Sequence, residues 1–183
     1  MPLTIDAAVA GDVPLLLQFI RDLAAYERLD SQVVATEDDL RRWLCGERPV
    51  AEAAIARERG EPVGFALYFP VFSTFLGRPG MYLEDLFVRE SARGRGVGRA
   101  LIAHVAKVAV DRGWGRVEWS VLDWNAPAIA FYSRLGAEGL DDWRRWRLTG
   151  KPLERLAAEG GQTGVKPGSN QGQTGDGASE QKS

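Results

Sequence analysis

Little in this chain suits a crosslink or a metal. It carries one cysteine, Cys45, and one histidine, His104, which excludes an internal disulfide and a Cys/His zinc cluster and argues against a Ser-His or Cys-His nucleophilic pair. Excess positive charge is also missing: 23 Lys and Arg stand against 25 Asp and Glu, a formal net charge of −2. A protein whose main partner is a phosphate backbone needs a basic surplus, so nucleic acid is excluded as that partner. No run approaches the roughly 18 apolar residues of a membrane span, and "MPLTIDAAVAGDVPLLLQFI" lacks the basic start and apolar core of an export signal. These absences predict a protein of the cytoplasm with no membrane partner. What remains is chemistry on small molecules or other proteins.

With 183 residues and 45% apolar content, the chain suffices for one well-buried domain. "LTIDAA" reads as a strand, followed by a helix with Asp12 as N-cap, Pro14 in the first turn and Leu16, Phe19, Ile20 and Leu23 on one face. Thr36 and Asp39 form a capping signal for a second helix that stops near Gly46. "AEAAIARERGEPVGFALYF" predicts two strands joined at Arg59-Gly60-Glu61-Pro62, and "GMYLEDLFV" a third, all antiparallel because their connections are short. Val97, Leu101, Val105 and Val108 then describe a helix ending at Gly113. "RVEWSVL" predicts a strand, Asn125 caps a helix with Pro127 in its first turn and Gly136 past its end, and "RRWRLT" predicts a last strand. This order gives an α/β (α+β) class with a mixed, largely antiparallel central sheet flanked by helices. Residues 1–158 form the domain; 159–183 turn to Gly, Ser and Gln and are expected to be a disordered tail.

Between the strand "YLEDLFV" and its helix lies "ARGRGVGRAL". Backbone amides converging on a helix N-terminus attract phosphate, and Gly94, Gly96 and Gly98 let a ligand touch that backbone or adopt positive φ. Arg93, Arg95 and Arg99 add positive charge at the same place. The alternative is a glycine loop that serves only close strand-to-helix packing. A P-loop is excluded because Gly98 is followed by Arg99-Ala100 rather than Lys-Ser or Lys-Thr. The G-x-G-x-x-G dinucleotide fingerprint fails because position 99 is Arg.

The motif that fits is Arg93-x-x-Gly96-x-Gly98, after a strand with adjacent carboxylates and before "WNAPAIAFYSRLGA". Together with "DLAAYE" at 22–27, "VGFALY" and "YLEDLFV", it resembles the GNAT superfamily of N-acetyltransferases, and within it the diamine (spermidine/spermine) acetyltransferases, over about residues 3–157. The resemblance implies the GNAT fold, acetyl-CoA as cosubstrate without a metal, a small-molecule amine as acceptor, and a homodimer. Arg93, Gly94, Arg95, Gly96, Val97 and Gly98 would hold the pyrophosphate of coenzyme A. Leu86, Phe87 and Val88 would meet the pantetheine arm almost as an added strand, and Asn125 and Ala128 would be further cofactor contacts.

Amide formation needs a neutral amine, although a free alkylamine has a pKa near ~10.4. A carboxylate can take the proton directly or through water. By the resemblance that group is Glu84, with Asp85 a substrate-side companion. As strand neighbours the two point to opposite faces unless a bulge turns one, and the alternative is a pair of ordinary edge carboxylates. Tyr132 has the phenolic O–H of a general acid and matches the residue that protonates the departing thiolate, unless it is merely a core aromatic. Phe131 is expected to face another way and pack. Tyr26 and Glu27 match amine-holding residues, or else complete a helix face and sit in solvent.

Two departures bear on the substrate. Glu118 stands where the diamine enzymes carry a histidine, before Trp119 and Ser120, and Trp143-Arg144-Arg145-Trp146-Arg147 replaces an expected acidic cluster. Arginines repel a polyamine, so a shorter amine or an amino-acid side chain competes with it as acceptor. A non-catalytic acyl-CoA-binding module and a protein lysine or N-terminal acetyltransferase are the alternative functions. His104 is expected at the surface or boundary, Cys45 buried or half-buried, and the tryptophans at 114, 119, 124, 143 and 146 in core and pocket walls.

Overall fold

A computed structural model describes residues 3–162. The chain divides into two compact units, Met1–Ala130 and Phe131–Ser183.

The first unit is built on five strands that lie side by side in chain order: β1 (Leu3–Ala7), β2 (Glu52–Glu58), β3 (Glu61–Ser73), β4 (Arg78–Val88) and β5 (Val117–Glu118). The first four pair antiparallel, and β5 pairs parallel to β4. Arg59 and Gly60 both take positive φ, 54° and 86°. That is the backbone of a tight hairpin turn, and it joins β2 to β3 where the sequence predicts. At Gly64 a side chain is excluded for another reason: a Cβ there would lie 2.5 Å from the Phe87 carbonyl oxygen of the neighbouring strand.

Alternation along the strands splits the core between the two faces of the sheet. On one face Ala54, Ala56, Ala66, Tyr68, Met81 and Leu83 pack with Val97, Leu101, Val105 and Ala109 of helix α3 (Val97–Asp111). On the other, Ala53, Ile55, Phe65 and Phe87 pack with Leu16 and Phe19 of helix α1 (Val13–Glu27), and the rings of Phe19 and Phe65 stack at 5.5 Å. Helix α2 (Glu37–Cys45) starts where expected: Thr36 and Asp39 exchange the reciprocal bonds of a capping box. Asp12 does occupy the N-cap of α1, but its carboxylate accepts instead from the Val9 amide at 3.0 Å and the Arg57 guanidinium at 2.8 Å.

Several expectations are corrected. "RVEWSVL" yields only the two residues of β5. Residues 144–149, expected as a last strand, have no strand structure, because such a Trp/Arg segment makes a strand only where a neighbouring edge offers bonds. Helix α5 (Gly150–Gln162) follows them. Residues 163–183, where most of the expected tail falls, lie outside the described residues. Cys45 is exposed. Trp114 and Trp119 pack against the core, but Trp124, Trp143 and Trp146 are exposed. His104 is half-buried, its ring 6.5 Å from that of Tyr68. No helix among the described residues is long and apolar enough to cross a membrane.

Candidate active site

The site begins where the sheet comes apart. β5 pairs with β4 only at Met81 and Tyr82, where the Met81 amide donates to the Arg116 carbonyl at 2.9 Å. Past Tyr82, no strand among the described residues covers that edge of β4. In an antiparallel ladder successive residues turn their backbone groups to opposite sides. Arg89 donates to Val63 on β3 at 2.9 Å, so Phe87 also faces β3, opposite Phe65, while Leu86 and Val88 face the open edge. Of the three amides expected to meet a ligand, two point into the gap and that of Phe87 is taken up by the sheet.

A bulge sits at the same place. Leu67 pairs with Asp85 and Tyr68 with Leu83, which leaves Glu84 as the extra residue of β4. Without it Asp85 would lie on the α3 face with Met81 and Leu83. With it Asp85 moves to the α1 face, as does Phe87, which packs there. Glu84 is exposed and Asp85 half-buried. Burial, then the charges of Glu84 and Glu27, push the Asp85 carboxyl up to about 7. Burial alone raises Glu27, the last residue of α1. Three carboxylates thus share the electrostatics of one region, and Asp85 is the one pushed toward neutrality.

Beside them the glycine loop runs into α3. Gly94 and Gly96 have φ of 74° and 86°, with open space where a Cβ would be, and Gly98 lies in the first turn of the helix. Ala92 and Val97 are buried and pin the loop at both ends. An open cradle of amides at the N-terminus of a helix running from Val97 to Asp111 fits a pyrophosphate. The arginines separate, however. Arg95 turns away to pair with Glu58 at 2.9 Å. Arg93 donates from Nε to the Val88 carbonyl at 2.9 Å and lays its guanidinium over the rings of Tyr26, at 4.6 Å, and Phe87, at 5.9 Å.

Asn125 caps helix α4 (Ala126–Arg134) as predicted, its Oδ1 accepting from the Ala128 amide at 3.3 Å. The same oxygen accepts from the Tyr26 hydroxyl at 3.2 Å. The sequence gives no sign of that pairing, nor of Arg28 lying 5.8 Å over the Trp124 ring beside Tyr26, although "DWNAP" places Trp124 next to the cap.

Glu118 is compensated: its Oε2 sits 2.7 Å from Arg116 Nε, an ion pair rather than an aligned hydrogen bond. Ser120 is exposed and its hydroxyl lies 2.9 Å from that of Tyr82. Trp119 packs at the core margin. Tyr132 belongs to the second unit's part of α4, half-buried. Its ring lies 5.2 Å from that of Phe131, which is also half-buried. No group of three or more His, Cys, Asp or Glu among the described residues is placed to hold a metal.

Residues 17–137 match the acetyltransferase (GNAT) family. The thialysine N-epsilon-acetyltransferase of Sus scrofa is 39% identical over 85% of this chain and 97% of its own. The L-ornithine N5-acetyltransferase NATA1 of Arabidopsis thaliana is 34% identical over 83% and 86%. Among solved structures, an integron cassette protein from the mobile metagenome of V. cholerae superposes with a TM-score of 0.71 at 30% identity, covering 86% of this chain and 98% of the other. A sheet parted between β4 and β5, a glycine cradle on the helix that follows, and this sequence likeness lead to one conclusion: the chain belongs to the GNAT family and is an N-acetyltransferase.

Proposed function

We propose that the protein acetylates a primary amine on a small molecule, and that the favoured acceptor is the side-chain amine of an amino acid or a short diamine rather than a long polyamine. The observation that carries this reading is the bulge at Glu84, which sets Asp85 on the face of the sheet shared with α1. A compact acidic region of Glu27, Glu84 and Asp85 suits one cationic nitrogen. Glu118, already paired with Arg116, offers no second anionic subsite, and arginines at 144, 145 and 147 count against a polycation. The relatives named for thialysine and L-ornithine support the same class.

Acetyl-CoA, which the family uses, supplies an acyl group activated as a thioester. Gly94, Gly96 and the first turn of α3 hold the diphosphate, with Arg93 at their side. Glu84, at the bulge, accepts the ammonium proton through water, and Asp85 retains it, its proton affinity near neutrality matched to the task. The Leu86 amide faces the acyl oxygen as it takes on negative charge. The C–N bond forms first; as the C–S bond then breaks, Tyr132 gives its phenolic proton to the sulfur and takes up the one that the new amide nitrogen sheds. Transfer is direct, with both substrates bound.

Thiol release from acetyl-CoA tests the reading, with thialysine, ornithine, lysine, putrescine and spermidine as acceptors. We expect kcat/KM highest for an amino-acid side chain or putrescine. A clear preference for spermidine would reject the substrate assignment, and no turnover on any amine would reject the small-molecule reading.

The resemblance to diamine acetyltransferases also supports a homodimer working in the cytoplasm. Light scattering should give twice the mass of the 20.1 kDa chain, and the mass of a single chain would refute it.

A further inference from the structure

The end of α1 holds two groups of the cofactor side at once. From Tyr26 the hydroxyl donates to Asn125 Oδ1, and the ring lies beneath the Arg93 guanidinium. Each contact removes a freedom. A carboxamide with one partner can rotate. With its oxygen engaged by both the Ala128 amide and the Tyr26 hydroxyl, Asn125 must turn its NH₂ the other way, as a donor of fixed direction. An exposed arginine samples many rotamers. Arg93, anchored through Nε to the Val88 carbonyl and seated on the Tyr26 ring, holds its guanidinium in one place.

Tyr26 itself is fixed independently of any ligand. Arg28 takes the left-handed conformation, φ 60°, and the Leu29 amide closes on the Ala24 carbonyl at 2.8 Å, terminating the helix firmly. Trp124 packs beside the Tyr26 ring at 6.2 Å. Tyr26 stays 37% exposed, yet its hydroxyl is committed to Asn125 and one face of its ring to a guanidinium.

We infer that Tyr26 is a positioning residue for coenzyme A, orienting Asn125 and Arg93. This rests on the reading of residues 93–98 as the pyrophosphate cradle. Glu27, one residue on, is held by the helix end and not by the Tyr26 hydroxyl, so the amine site should be indifferent to that hydroxyl.

The test is calorimetric binding of coenzyme A without amine, together with the KM of the best amine, for wild type, Tyr26→Phe, Asn125→Ala and the double variant. Tyr26→Phe keeps the ring under Arg93 and removes only the O–H. One lost hydrogen bond predicts coenzyme A binding weakened about 3- to 10-fold, with the amine KM changed less than about twofold. In the Asn125→Ala background the same substitution should cost less than about twofold, because the hydroxyl's acceptor is already gone. Unchanged coenzyme A affinity in Tyr26→Phe overturns the inference alone, as does an equal loss in the Asn125→Ala background. A wild-type protein that fails to bind coenzyme A overturns the cradle reading and this inference with it.

Discussion

Replacing Asp85 by asparagine should make the protein more stable and a poorer catalyst in one step. In the unfolded chain an aspartate titrates near ~3.9, while in the fold burial and the charges of Glu84 and Glu27 push this one up to about 7. A raised carboxylate favours the folded state while it is protonated. Its penalty is absent below ~4, grows as pH rises toward 7, and is complete above that. Asparagine never ionises, so the variant should match wild type at pH 4 and exceed it at pH 8. The full shift would be worth roughly 4 kcal/mol, and for a half-buried group we expect about 2 kcal/mol, a rise in melting temperature of roughly 4–8 °C. Activity should move the other way, by about 10²-fold or more in kcat/KM at pH 8. In wild type kcat/KM should fall as pH drops through 7, and that limb should be missing from the variant. A melting-temperature difference that is the same at both pH values would remove Asp85 from this role.

Tyr132→Phe is the second large effect. If the phenol protonates the departing sulfur, kcat should drop by about 10² to 10⁴, the range for a positioned general acid. Coenzyme A binding and the amine KM should hold within about twofold, because only an O–H is lost and the half-buried ring remains. Single-turnover measurement separates this from slow product release: the chemical step itself must slow. A variant with wild-type single-turnover rates would assign sulfur protonation to another group.

Features set by local chemistry were legible in the sequence. The Thr36 capping box, the Arg59-Gly60 turn, the Asn125 cap and the glycines beside α3 each depend on a few consecutive residues, and each lies where expected. What depended on distant partners was not legible. No glycine or proline marks the bulge at Glu84. It follows from β4 having to serve two faces, with Met81 and Leu83 buried against α3 and Phe87 against Phe19. The same need moved Asp85 to the α1 face, where burial raises its proton affinity. Likewise "RVEWSVL" has strand character throughout, but only two of its residues find a neighbouring edge. For Glu118 and Tyr26 the sequence shows the residue and not its partner: Arg116, two positions away, pairs with the first, and Asn125, far along the chain, accepts from the second.

The strands stand in the sheet in the order in which they occur in the chain. Three of the four pairings are antiparallel neighbours, two of them joined by short hairpins, and such contacts close small loops and form early. The fourth must wait for the whole of α3 to cross over, and then it secures two residue pairs. With so few pairs, the junction between β4 and β5 is the part of the sheet least costly to reopen. On the proposed reading, a pantetheine arm laid along the free edge of β4 would give that seam the backbone bonds that its own two residue pairs do not provide.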